Sequence, residues 1–79
     1  MKRWETSYNG NKIVVENRMS SEKLFVNGEL QDECIGIKVG RVRLFGHLVT
    51  GEKIKVSLGG NLAIKCRIFI DDKLILKGE

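Results

Sequence analysis

Proline is absent from this 79-residue sequence, tryptophan, tyrosine and histidine occur once each, and cysteine twice. Without proline, no stretch reads as a rigid linker or a polyproline II ligand. A secreted mini-domain of this size usually carries about four to eight cysteines to compensate for a small core. Cys34 and Cys66 alone fall short of that set, and both are expected to be free thiols. Long apolar runs are also missing, against the ~20 residues a helix needs to cross a bilayer. The opening "MKRWETSYNG" has two basic residues but no apolar segment behind them, as a signal peptide would require. These absences make the cytoplasm the expected compartment and exclude a membrane partner from the expectations.

No window shows apolar residues sustained at i, i+3 and i+4, so helix is not the organising element. Short alternating stretches bounded by Asn, Gly and Asp recur instead. Strands are expected at about 3–8, 12–17, 23–26, 29–38, 41–48, 53–58, 62–70 and 73–77. The length suits one core, spanning 1–79, either a whole protein or one module of a longer one. An Asn9-Gly10 type I′ turn would set Tyr8 against Asn11, Thr6 against Ile13 and Trp4 against Val15. The other side of that ribbon pairs Ser7 with Lys12, Glu5 with Val14 and Arg3 with Glu16, a polar face with one favourable charge pair.

The stretch "KIVVENRMSSEKLFVNGEL" from Lys12 is loosely repeated by "KIKVSLGGNLAIKCRIFIDDKLI" from Lys53. Each copy reads as strand, loop, strand, tight Asn-Gly or Asp-Asp turn, and the start of a third strand. Two such units predict an all-β fold, an antiparallel β-sandwich or flattened barrel of about seven or eight strands with two hairpin-containing repeats. The turn at Asp71 and Asp72 would pair Ile70 with Lys73, Phe69 with Leu74 and Ile68 with Ile75; in the first copy Phe25 faces Leu30. The expected core is Trp4, Ile13, Val15, Ile54, Val56, Ile64, Cys66, Ile68 and Ile70.

The combination of "LFVNGEL", "GEKIKVSLGG" and "CRIFIDDKLI", over roughly residues 12–75, resembles the β-sandwich domains of the Fas apoptotic inhibitory molecule family. Asp72 stands where that family usually has Gly. The resemblance implies a compact, non-enzymatic cytosolic module that works through protein contacts. The chain is also similar to small uncharacterised bacterial β domains.

Catalytic constellations are sparse. "GHLVTGEK" approaches a phosphate-binding loop, but that loop needs Lys directly after its second Gly, then Ser or Thr, opening a helix. Glu52 and Ile54 occupy those places, so a turn around Gly51 is the preferred reading. Cys34, His47 and Cys66 are too few and too widely spaced for structural zinc. A Cys66–His47 nucleophile pair requires Cys66 to be exposed, whereas its alternation with Ile64, Ile68 and Ile70 places it in the core. Of Glu22, Glu29, Asp32, Glu33, Glu52, Asp71 and Asp72, nearly all fall at expected turn or edge positions. The expectation is therefore no enzyme, no cofactor and no metal.

Charge is uneven along the chain. Between Lys38 and Arg67 the basic residues Lys38, Arg41, Arg43, Lys53, Lys55, Lys65 and Arg67 are countered by Glu52 alone. Period-two alternation turns Arg41, Arg43 and Phe45, Lys53 and Lys55, and Lys65, Arg67 and Phe69 away from their apolar neighbours. A solvated strand face would also carry such charges. The candidate interaction surface is Arg41, Arg43, Lys53, Lys55, Lys65, Arg67, Phe69 and Leu74. A protein is the expected partner of a monomer or weak dimer; the alternative is single-stranded nucleic acid or another polyanion, with the Phe rings available for stacking.

Overall fold

The structure is a computed structural model that describes residues 1–36, 40–60 and 64–78. Among these residues, alternating apolar and polar positions between Asn, Gly and Asp turns produce eight strands: β1 (Lys2–Tyr8), β2 (Asn11–Arg18), β3 (Ser21–Val26), β4 (Glu29–Ile35), β5 (Val42–His47), β6 (Lys53–Gly59), β7 (Lys65–Ile70) and β8 (Lys73–Gly78). They form two four-stranded sheets, ordered β1-β2-β3-β4 and β5-β6-β7-β8, with every pairing antiparallel. The fold is all-β, and the sheets are not closed into a barrel. Expected strand positions 37–38 and 62–63 lie outside the described residues. Ile64 precedes β7 instead of belonging to it, and β4 ends before Gly36, whose φ of 109° breaks the extended backbone.

The first hairpin has the expected register throughout, from Lys2 opposite Asn17 to Tyr8 opposite Asn11. Its turn is left-handed at both Asn9 (φ 49°) and Gly10 (φ 78°), as a type I′ turn requires. The same signature recurs at Asn27 and Gly28 (φ 51° and 84°) and at Asp71 and Asp72 (φ 47° and 66°). One expected pair is corrected. Phe69 does face Leu74, but Ile68 faces Leu76, because Ile75 is an extra residue in a β-bulge. The first sheet bulges at the matching place: Phe25 faces Leu30, Leu24 faces Asp32, and Gln31 is the extra residue.

The repeat extends to hydrogen bonds. The Lys12 N–H donates to Asn27 Oδ1 (2.9 Å) while the Asn27 N–H donates to the Lys12 carbonyl (2.8 Å). In the second sheet the Lys53 N–H donates to Asp71 Oδ1 (2.9 Å), and the Asp71 N–H returns a bond to the Lys53 carbonyl (2.9 Å). In each copy the residue opening the hairpin turn thus fastens that turn to the start of the neighbouring strand.

Both sheets contribute to one buried cluster: Trp4, Ile13, Val15, Leu24 and Val26 from the first, with Leu44, Ile54, Val56, Leu58, Cys66, Ile68 and Ile70 from the second and Leu48 from the turn that follows β5. Ile64, expected in this core, is only partly buried against it, because it lies just before the strand whose pleat would have turned it inward. Val14 is on the outer face, as its register demands, yet is buried, facing Phe25 on β3. The expected Arg3–Glu16 ion pair is also replaced: Arg3 binds Glu5 (2.8 Å) and Glu16 binds Arg18 (2.7 Å).

Polar contacts also join the edges of the two sheets. Asp32 on β4 accepts the Glu33 N–H with Oδ1 (2.8 Å) and the Phe45 N–H of β5 with Oδ2 (2.7 Å). The bulged Gln31 accepts the His47 N–H (2.8 Å) and donates to the His47 carbonyl (2.9 Å). Elsewhere Trp4 of β1 lies over Gly78 of β8, so close that a Cβ on Gly78 would stand 3.2 Å from Trp4 Cδ1.

Candidate interaction face

Cross-strand register converts the scattered basic residues of the second half into adjacent rows. One row crosses the sheet as Phe45, Lys55, Phe69 and Leu74; the next as Arg43, Ser57, Arg67 and Lys77. Neighbouring strands lie ~4.8 Å apart, so each row spans the width of the sheet with its side chains in lateral contact range. Lys53 stands at the start of β6 opposite His47, and Lys65 at the start of β7 opposite Gly59. Arg41 precedes β5 and donates from Nη1 to Ser57 Oγ (3.0 Å), which brings its guanidinium onto the same face. It passes close over Gly59, where a Cβ would stand 3.3 Å from the Arg41 Cα. All eight residues of the candidate surface thus belong to the second sheet or its immediate approach.

The apolar members are placed outside the core. Phe45 is 56% exposed and Leu74 47% exposed, while Phe69 is half-buried beneath Lys55, whose Nζ lies 4.9 Å from the ring centroid. That cation–π contact covers one face of the ring.

Electrostatically the two sheets differ. The strands of the first contain Glu5, Glu16, Glu22, Glu29, Asp32 and Glu33 beside their Lys and Arg residues. Several of these charges are matched, with Lys12–Glu5 (3.6 Å) and Lys23–Glu33 (3.4 Å) adding to the two pairs above. The strands of the second contain Arg43, Lys53, Lys55, Lys65, Arg67, Lys73 and Lys77 and no acidic residue. Like charges on one face raise the local potential and attract an anionic partner over roughly a Debye length, ~8 Å at physiological salt.

The other motifs separate in space. Cys66 is fully buried, and burial pushes its thiol up to about 12. His47 is exposed at the opposite end of the sheet ladder, opposite Lys53, whereas Cys66 faces Leu58. "GHLVTGEK" is the end of β5, a turn and the start of β6, with Gly51 at φ 102° and its N–H on the Leu48 carbonyl (2.9 Å). Glu22 is an exception to the turn and edge positions expected for nearly all the carboxylates. It lies on the central strand β3, points inward and is 7% exposed. Period-two alternation from Leu24 and Val26 carries the signal for that inward side, although residue type argues against it.

Fold and face together define a two-sheet, all-β protein with one charge-balanced and one basic sheet. No family model, curated protein or solved structure matches the chain.

Proposed function

We propose that this chain is a non-catalytic binding module, a β-sandwich whose second sheet docks an acidic polypeptide segment on its outer face. The carrying observation is the juxtaposition, on strands free of acidic residues, of the Phe45–Lys55–Phe69–Leu74 row with the Arg43–Ser57–Arg67–Lys77 row. An extended peptide carrying Asp or Glu between apolar residues satisfies both rows at once: its charges meet the Arg and Lys heads, and its apolar side chains cover Phe45 and Leu74. Protein is favoured over nucleic acid because Lys55 occupies a face of the Phe69 ring on which a base would stack. Strand addition along β5 is disfavoured, since Asp32 and Gln31 already take its Phe45 and His47 N–H groups. The packing of both sheets around one cluster supports the sandwich reading. The resemblance of the two hairpins to those of the Fas apoptotic inhibitory molecule family implies the same kind of role, a cytosolic module acting through protein contacts.

The test is titration of the isotopically labelled chain with an acidic peptide containing Phe and Leu, beside a single-stranded oligonucleotide. The expected outcome is saturable, salt-sensitive amide shifts along β5 to β8 with the peptide. Shifts with the oligonucleotide alone would transfer the face to a nucleic-acid role, and shifts with neither would remove both.

A further inference from the structure

At the end of the molecule away from the Asn27 and Asp71 turns, the last inward-facing rows of the two sheets are chemically unlike. On the first sheet the ladder runs Lys2, Asn17, Glu22, Cys34; on the second it runs Val42, Leu58, Cys66, Gly78. The repeat places Glu22 on β3 where β7 has Cys66, and Asn17 on β2 where β6 has Leu58, so one copy closes this end with core residues and the other with polar ones. Between them lies a cleft of about 470 Å³, lined among others by Lys2, Asn17 and Glu22 on one wall and Val42, Leu58 and Ile64 on the other. That volume falls within the range of small-molecule sites, ~300–1,000 Å³.

Glu22 is only half satisfied in this position. Its Oε2 accepts a bond from Asn17 Nδ2 (3.2 Å), but Oε1 is shielded from solvent and has no donor among the described residues. Leaving a buried carboxylate oxygen unpaired is costly, so Glu22 makes this position less stable than the buried Cys66 makes its counterpart in the other copy. The carboxylate rotates about a soft terminal torsion, and so can present Oε1 to a donor entering the cleft. The cations of the cleft are not equivalent. Arg18 is held by Glu16 through Nε (3.0 Å) and Nη2 (2.7 Å), whereas the exposed Lys2 ammonium rests over the Trp4 ring at 5.9 Å and has no ion pair among the described residues. The unpaired Glu22 oxygen, the Lys2 ammonium and an apolar opposite wall complement a small zwitterion with an aliphatic body.

We propose that this cleft binds a free aliphatic α-amino acid, its ammonium on Glu22, its carboxylate on Lys2 and its side chain against Val42, Leu58 and Ile64. The site is separate from the basic face and stands or falls independently of it. The test is a titration of the labelled chain with L-leucine, with leucinamide, which lacks the carboxylate, and with 4-methylpentanoate, which lacks the ammonium. Leucine is expected to give saturable shifts at Asn17, Glu22 and Leu58, and 4-methylpentanoate none. Glu22→Gln should weaken leucine at least about tenfold, the loss expected for one charge-assisted hydrogen bond, while leaving thermal stability unchanged or raised. Should that variant fail to fold, Lys2→Ala at the exposed rim serves in its place, and is expected to bring leucine down to the affinity of leucinamide. Absence of saturable leucine shifts, undiminished binding in Glu22→Gln, or equal affinity for leucine and leucinamide in the unaltered chain would overturn the assignment.

Discussion

Asp72 shows how one residue departs from its best local chemistry. It holds φ 66° at the second turn position where the first copy has Gly28, and a non-glycine residue is strained there although Asp tolerates it better than most. Asp72→Gly is expected to raise stability by roughly 0.5–1 kcal/mol, the strain relieved exceeding the chain entropy that glycine adds to the unfolded state; urea denaturation measures it. Within the core, Ile68 is fully buried, and Ile68→Ala should cost ~2–5 kcal/mol through lost burial and a residual cavity. Cys66 adds a pH dependence. Its thiol is raised from 9.0 to about 12 by burial, so above the lower value the unfolded chain loses a proton that the folded chain keeps. The contribution is complete below pH 9 and is lost between 9 and 12, at up to about 1.4 kcal/mol per pH unit. Denaturation midpoints in that window should fall less steeply for Cys66→Val than for the unaltered chain.

At the scale of strands, the two bulges take different roles from the same geometry. In β8 the extra residue is Ile75, partly buried against the core; in β4 it is Gln31, whose side chain crosses to β5 and bonds both backbone groups of His47. Gly46 leaves room for that crossing, because a Cβ there would press on Gln31 and stand 3.0 Å from Leu24 Cδ2. Gly46→Ala is therefore expected to destabilise by about 1–3 kcal/mol, as overpacking does. Replacing Gln31 by Ala in the same chain should recover part of that loss, and a double-mutant cycle reads the coupling.

Across the whole molecule, the division of charge between sheets matters more than the net charge of +4. The basic face is outside the core, so Phe69→Ala should leave the melting temperature nearly unchanged while weakening an acidic peptide. Arg67→Glu should weaken it further, and the gap between the two variants should shrink with added salt because exposed charges are screened over a Debye length. A Phe69→Ala chain that fails to fold would instead make Phe69 a core residue and withdraw the face.

Turn chemistry and period-two alternation were legible in the sequence because each acts over a few residues. Asn9-Gly10 and Asp71-Asp72 fix their hairpins locally, and once a register is set, the side-chain faces follow from parity as far as the next bulge. The exclusion of Phe69 and Leu74 from the core and the burial of Cys66 came from that rule alone. Tertiary structure decided what depends on the spacing between distant strands. The bulge that moved Ile68 from Ile75 to Leu76 lies inside one hairpin, but the turn residues that set its register carry no sign of the extra residue. The Asp32 and Gln31 bonds to β5 exist only because the two sheet edges approach each other, and no local pattern announces that meeting. Glu22 stands between these cases. Its parity with Leu24 and Val26 carries an inward signal, but only the tertiary structure shows that a cleft lies beside it and that its Oε1 has no donor among the described residues.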